Sequence, residues 1–131
     1  MSALIIDGLP GLPAATDLSP YALVYVSGGN WTLATATNAA SGVVMRAVKS
    51  GEIVQPRPLS AAIMAVGIAS GVIAAGAVIV QDAAGKVKTL PTSGGGTAIK
   101  AGVALNDSAA ADGDWINFHP LTAGAILTVA P

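Results

Sequence analysis

The chain of 131 residues contains no cysteine. Disulfides, thiolate nucleophiles and cysteine-based zinc sites are excluded together, and such a composition suits a chain made in a reducing cytoplasm. Charge is scarce too: Asp, Glu, Lys and Arg make up 10% of residues, six basic against seven acidic, with no cluster of either sign. The electrostatic footprint of a nucleic-acid-binding protein is therefore missing. His119 is the only histidine, so one subunit cannot build a multi-histidine metal centre, and any Ser-His-Asp triad would have to use it. No Gly-x-Ser-x-Gly elbow accompanies it. No Lys or Arg precedes Arg46, which leaves no charged n-region for a secretory signal. Aromatics are 4% against 53% hydrophobic residues, so the apolar content is mostly Ala, Val, Ile and Leu, small side chains that suit thin β-layers. So few charges leave little to cover an isolated surface, and burial in an oligomer or larger assembly is the expectation.

What is present is a repeat. Gly113 to Ala123 reads Gly-Asp-Trp-Ile-Asn-Phe-His-Pro-Leu-Thr-Ala, and Gly51 to Ala61, 62 residues earlier, reads Gly-Glu-Ile-Val-Gln-Pro-Arg-Pro-Leu-Ser-Ala. Gly51/Gly113, Pro58/Pro120, Leu59/Leu121 and Ala61/Ala123 are identical, and Glu52/Asp114, Val54/Ile116, Gln55/Asn117, Arg57/His119 and Ser60/Thr122 exchange like for like. Upstream, Ala22 to Val26 matches Ala77 to Val80, Asn30 to Leu33 matches Lys86 to Thr89, and Gly42 to Met45 matches Gly102 to Leu105. A duplicated unit follows. The expected architecture is all-β: a compact barrel or sandwich-like domain over 21–131, built from units at about 21–61 and 77–123 that share one core, with an extended N-terminal arm over 1–20.

Five prolines and glycines between Gly8 and Pro20 prevent a long helix in that arm. It reads either as a frayed terminus or as a tether whose apolar residues Leu4, Ile5, Ile6 and Leu9 bind a partner. Tyr21 to Val26 and Trp31 to Ala36 form a hairpin around Ser27-Gly28-Gly29-Asn30. Val43 to Val48 and Glu52 to Gln55 form a second pair around Lys49-Ser50-Gly51, and Pro56-Arg57-Pro58 marks a strand end or sheet edge. Ala61 to Val80 carries no charge, but Gly67, Gly71 and Gly76 break it and no aromatic belt flanks it, so short strands and turns are favoured over a membrane helix. The second half repeats the first: a hairpin at Asp82 to Gly85, strands Gly102 to Leu105 and Trp115 to His119, and a tail strand Ile126 to Val129.

No catalytic constellation, cofactor site or metal site emerges. Gly94-Gly95-Gly96 lacks the Lys and helix start of a phosphate cradle, and Asp107, Asp112 and Asp114 match no calcium-loop spacing. Strand alternation sends Ile116 and Phe118 to the core, and Trp115, Asn117 and His119 outward. Trp115 then either anchors a subunit or partner contact, with His119 beside it, or lies flat on its own sheet.

Three segments carry a resemblance: Val78 to Val87; Ala101 to Leu105; and Ala109 to Asp114 with Trp115 to Leu121. Their rhythm of strand, turn, Gly-Val-Ala strand, loop and alternating strand is similar to the small head decoration, or cement, proteins of tailed bacteriophages, including the phage lambda type. The resemblance implies a β-tulip fold, trimers at capsid three-fold or quasi-three-fold points, the major capsid protein as partner and an N-terminal arm on the shell. It places the protein on the virion exterior, as a non-enzymatic structural component. Other phage components, such as tail tube, fibre base or coat, share the composition, and a small β-barrel binding module or hydrolase is the remaining class.

Overall fold

The structure, a computed structural model, describes residues 5–6, 9–105 and 111–131. The fold is all β, as expected, and the single helical piece among the described residues is a 3-10 turn at Ala83–Gly85. The chain opens with β1 (Ile5–Ile6), β2 (Leu9–Pro10) and β3 (Leu12–Pro13). The expected first hairpin follows: β4 (Leu23–Ser27) turns through Gly28 and Gly29, at φ 59° and 78°, into β5 (Asn30–Leu33), with Ser27 opposite Asn30. Two consecutive positive φ angles match the natural twist of a two-residue hairpin, and glycine adopts them without strain. Strands β6 (Gly42–Val43), β7 (Ile53–Val54) and β8 (Arg57–Pro58) complete the first unit, in the sheet order β5-β4-β6-β8. Strand β7 pairs with β3, and Ala14, just past β3, bridges in parallel to Trp31 of β5. The ladder thus returns to its start, and the first unit is a small closed barrel.

The second unit repeats this path. Strands β9 (Ala65–Ile68), β10 (Val78–Gln81), β11 (Val87–Thr89), β12 (Thr97–Ala104) and β13 (Trp115–His119) run β11-β10-β12-β13-β9, and Ala69, just past β9, bridges in parallel to Val87 of β11. Strand β14 (Ile126–Thr128) lies against the beginning of β12.

Register supports the duplication residue by residue. Leu23 faces Val43 and Val24 faces Gly42, as Val78 faces Val103 and Ile79 faces Gly102. Val43 faces Arg57 as Val103 faces His119. The N–H of Ala14 donates to Glu52 O at 2.8 Å, and that of Ala69 to Asp114 O at 2.8 Å. Equivalence therefore begins near residues 12 and 67, earlier than the expected unit starts.

Three expectations need correction. The segment 1–20 is not an arm throughout, because β3 is a barrel strand; its prolines are tolerated since the donors come from Ala14 and from Ala15, whose N–H reaches Trp31 O at 2.9 Å. The turn at Lys49 to Gly51 exists, with Glu52 N–H donating to Lys49 O, but its flanks do not pair with each other: β6 joins β4, and β7 joins β3. Finally, the core is double. Ala14, Leu18, Val24, Trp31, Val44 and Val54 fill the first barrel, and their counterparts Ala69, Ile73, Ile79, Val87, Ala104 and Ile116 fill the second. Each barrel is narrow enough for small residues to fill it, so two cores fit where one was expected.

The barrels are nonetheless welded. Leu23, Ala34 and Val43 of the first unit belong to the second cluster. Gln81, only 2% exposed, donates its amide to Thr35 O and Asn38 O at 2.9 and 2.8 Å and accepts from Ala40 N–H at 2.8 Å. A buried amide satisfied on both ends fixes one body against the other, because breaking any one bond strands a polar group away from water.

Closure of each barrel depends on one glycine. A Cβ on Gly42 would stand 2.8 Å from Arg57 O, and one on Gly102 would stand closer still to His119 O. Gly102→Ala should cost on the order of 3 kcal/mol in urea unfolding, and Gly42→Ala less, since overpacking against backbone cannot relax by a rotamer change. Unchanged stability in Gly102→Ala would contradict the close approach.

Candidate functional site

Strand β13 alternates as its pattern requires. Ile116 and Phe118 are buried at 1% and 0% exposure, while Trp115 and Asn117 face outward and His119 is half-buried on the same side. Trp115 is 59% exposed. Its ring partner is Tyr21, from the lead into the first unit's hairpin, at 4.8 Å between centroids and 80° between planes, an edge-on contact. Tyr21 has φ 70°, and its counterpart in the second unit is Gly76 at φ 78°. A tyrosine in left-handed backbone costs roughly 1–2 kcal/mol, offset by its N–H bond of 2.6 Å to Val44 O and by an aromatic contact of about 0.5–1.5 kcal/mol. Beside Trp115 lies a cleft of about 430 Å³ between the units, lined by Asp17, Pro20, Ile68, Lys86 and Gly113 among others.

His119 serves to hold the fold together, since its Nε2 lies 2.6 Å from Ala61 O and ties the segment between the units to β13. Its counterpart Arg57 is exposed and lines a second cleft, about 550 Å³, with Met45, Gln55, Pro56, Pro58 and Ile63. Among the arm residues, Leu9 packs against the first core cluster and its carbonyl accepts from Gln55 Nε2 at 2.8 Å. Leu9 is therefore half-buried against the body rather than placed on a free arm. Ile5 and Ile6 form β1, opposite Pro10 and Leu9; Leu4 lies outside the described residues.

Of the three loop carboxylates, Asp107 lies outside the described residues. Asp112 pairs with Lys86 at 2.8 Å, and Asp114 accepts from Ala111 N–H at 3.0 Å. Among the described residues no three His, Asp or Glu side chains gather as a metal site, and no helix is long and apolar enough to cross a membrane. The apolar run from Ala61 to Val80 forms turns, β9 and most of β10.

Asp82 shapes the 3-10 turn that meets the first unit. Burial alone would raise its pKa, but the Ser70 hydroxyl at 2.7 Å, the Ala83 N–H and the nearby Lys88 and Lys86 hold it below the usual carboxylate range. The next turn residue, Gly85, donates its N–H to Ala34 O at 2.8 Å.

Two residues that matter here escape a reading by residue type. Gln81 closes the apolar run Val78 to Val80, and a polar residue ending such a run was the available signal for a buried amide. Tyr21 had no local signal beyond its alignment with Gly76.

The chain matches no protein-family model, and no curated protein is significantly similar to it in sequence.

Two tests follow from this geometry. Trp115→Ala should destabilise the protein by about 1 kcal/mol, and clearly less in a Tyr21→Gly background, where both the strain and the ring contact are gone. Equal losses in the two backgrounds, measured by denaturant unfolding, would dissociate the pair. Because the folded pKa of Asp82 lies below its unfolded value, its stabilisation is present above about pH 3.9 and is lost as pH falls through the folded pKa. The acid limb of thermal unfolding should flatten in Asp82→Asn.

Proposed function

We propose that this chain is a non-enzymatic structural protein of a tailed-bacteriophage virion that binds the outer capsid surface and stabilises it. In this reading it sits as trimers at three-fold or quasi-three-fold positions and bridges adjacent copies of the major capsid protein. The observation that carries the proposal is the exterior of the body. Ile53, Met64, Val72, Trp115 and Ile126 are large apolar side chains, each exposed by 59–74%, on a chain with 10% charged residues. Exposed apolar surface on a charge-poor body suits a protein whose working state is covered by neighbours. The resemblance to decoration proteins supports the same assignment. His119, engaged with Ala61 O, is used in holding the fold, which favours a structural over a hydrolytic role. Each molecule would add buried area across a seam, and many copies would sum modest contacts into resistance to internal DNA pressure.

The expected outcome is that the purified protein co-sediments with expanded empty shells and raises the temperature at which they break. A truncation removing residues 1–8 spares β3 and the residues of both core clusters, whereas one reaching Pro20 deletes β3, Ala14 and Leu18 and is expected to unfold the first barrel. Failure of the full chain to bind shells made from the coat protein encoded nearest to it in its source genome would end this reading.

A further inference from the structure

We infer that the two barrels carry the same binding face twice, so that one molecule grips two equivalent sites on a repeating protein surface. In the second unit, Leu105 N–H donates to Asn117 O at 3.0 Å, which sets Leu105 across from Asn117 on the outward side of β13, between Trp115 and His119. In the first unit, the Val43–Arg57 register places Met45 across from Gln55, between Ile53 and Arg57, and Met45, Gln55 and Arg57 line one cleft. Each face therefore has a large apolar residue, an amide and a cationic or imidazole side chain at alternate positions along a strand, with a second apolar residue across from the amide. Exposure matches as closely as chemistry does: 46% for Met45 and 45% for Leu105, 61% for Ile53 and 59% for Trp115.

Exposed positions elsewhere are kept where like bonds hold them, as Glu52 accepts from Lys49 N–H at 2.6 Å and Asp114 from Ala111 N–H at 3.0 Å, and several others are not kept. Asp17 stands where the second unit has Val72, Lys49 where it has Ala111, and Ser50 where it has Asp112, all exposed. Side chains in water are released from the packing that holds core residues alike, so retention at exposed positions that no internal contact holds needs a cause outside the fold. Internal contacts account for Gln55, His119 and, through the Tyr21 ring, Trp115; they leave the exposed pair Met45/Leu105 unexplained.

None of the eight residues of the two faces is acidic, so neither face offers a carboxylate to the Arg57 of another copy. Arg57 has no acidic partner among the described residues. The occupant that fits is an apolar protein patch edged by a carboxylate, displayed at neighbouring places, as identical subunits of a shell display it. This inference rests on the shell-binding reading. Gln81 and the shared second cluster hold the faces at a set spacing, the condition under which a second contact strengthens the first.

Met45→Glu, Leu105→Glu and the double variant test it, since both side chains are exposed and make no hydrogen bonds of their own; unchanged unfolding midpoints confirm the fold. Co-sedimentation with expanded empty shells should weaken by similar factors of about 100 or more in each single variant and vanish in the double. If the wild type binds and one single variant is silent, or all three variants bind like the wild type, the duplicated face is wrong and the decoration reading stands. If the wild type does not bind at all, both fail.

Discussion

Backbone meets backbone at Gly42 and Gly102, and the two barrels exist on that condition. Strands β6 and β12 each cross a partner so closely that a methyl group would collide with the carbonyl of Arg57 or His119. A barrel drawn this tight has a narrow interior, which explains a composition rich in Ala, Val and Ile and poor in rings. Where a large residue does enter, something gives way. Trp31 helps fill the first barrel; in the second, Val87 stands in place of the tryptophan and Phe118 in place of Pro56, and Gly67 clears space, since a Cβ there would come within 3.0 Å of the Phe118 ring. Volume moves around the ring of strands while the strand path stays the same.

The contact between the barrels is of another kind. It is unsymmetrical: the 3-10 turn of the second unit rests on the open end of the first unit's hairpin, with Gly85 N–H on Ala34 O and Gln81 reaching into 35–40. The corresponding turn of the first unit, at Gly28 and Gly29, stays exposed. Two similar bodies are thus joined head to tail, which keeps their outward faces distinct and leaves both available.

Much of this is legible in the residues, and the part that is not has physical causes. The hairpin at Gly28-Gly29, the inward pair Ile116 and Phe118, and the repeat itself follow from turn chemistry and period-two alternation, both local. Strand β3 is hidden because Pro10 and Pro13 argue against a strand, and only the distant partners Glu52 and Trp31 reveal that the donors are supplied by Ala14 and Ala15. The double core is hidden for a related reason: chain length argues for one interior, while closure of each unit on itself is a long-range property of Ala14 with Trp31 and Ala69 with Val87. The candidate face stands between. Its members Trp115 and His119 are apparent from alternation, but Met45 and Leu105 join it only through pairing.

The head-to-tail joint uses a position that β14 occupies in the second unit. In the first unit, Asn38 O receives the amide of Gln81. Its counterpart in the second unit is Ala98, and there Leu127 of β14 is the pairing partner. Strand β14 therefore covers in the second unit the stretch that, in the first, receives the other barrel: one position along the shared strand path serves as a joint in one body and is closed by the chain's own strand in the other.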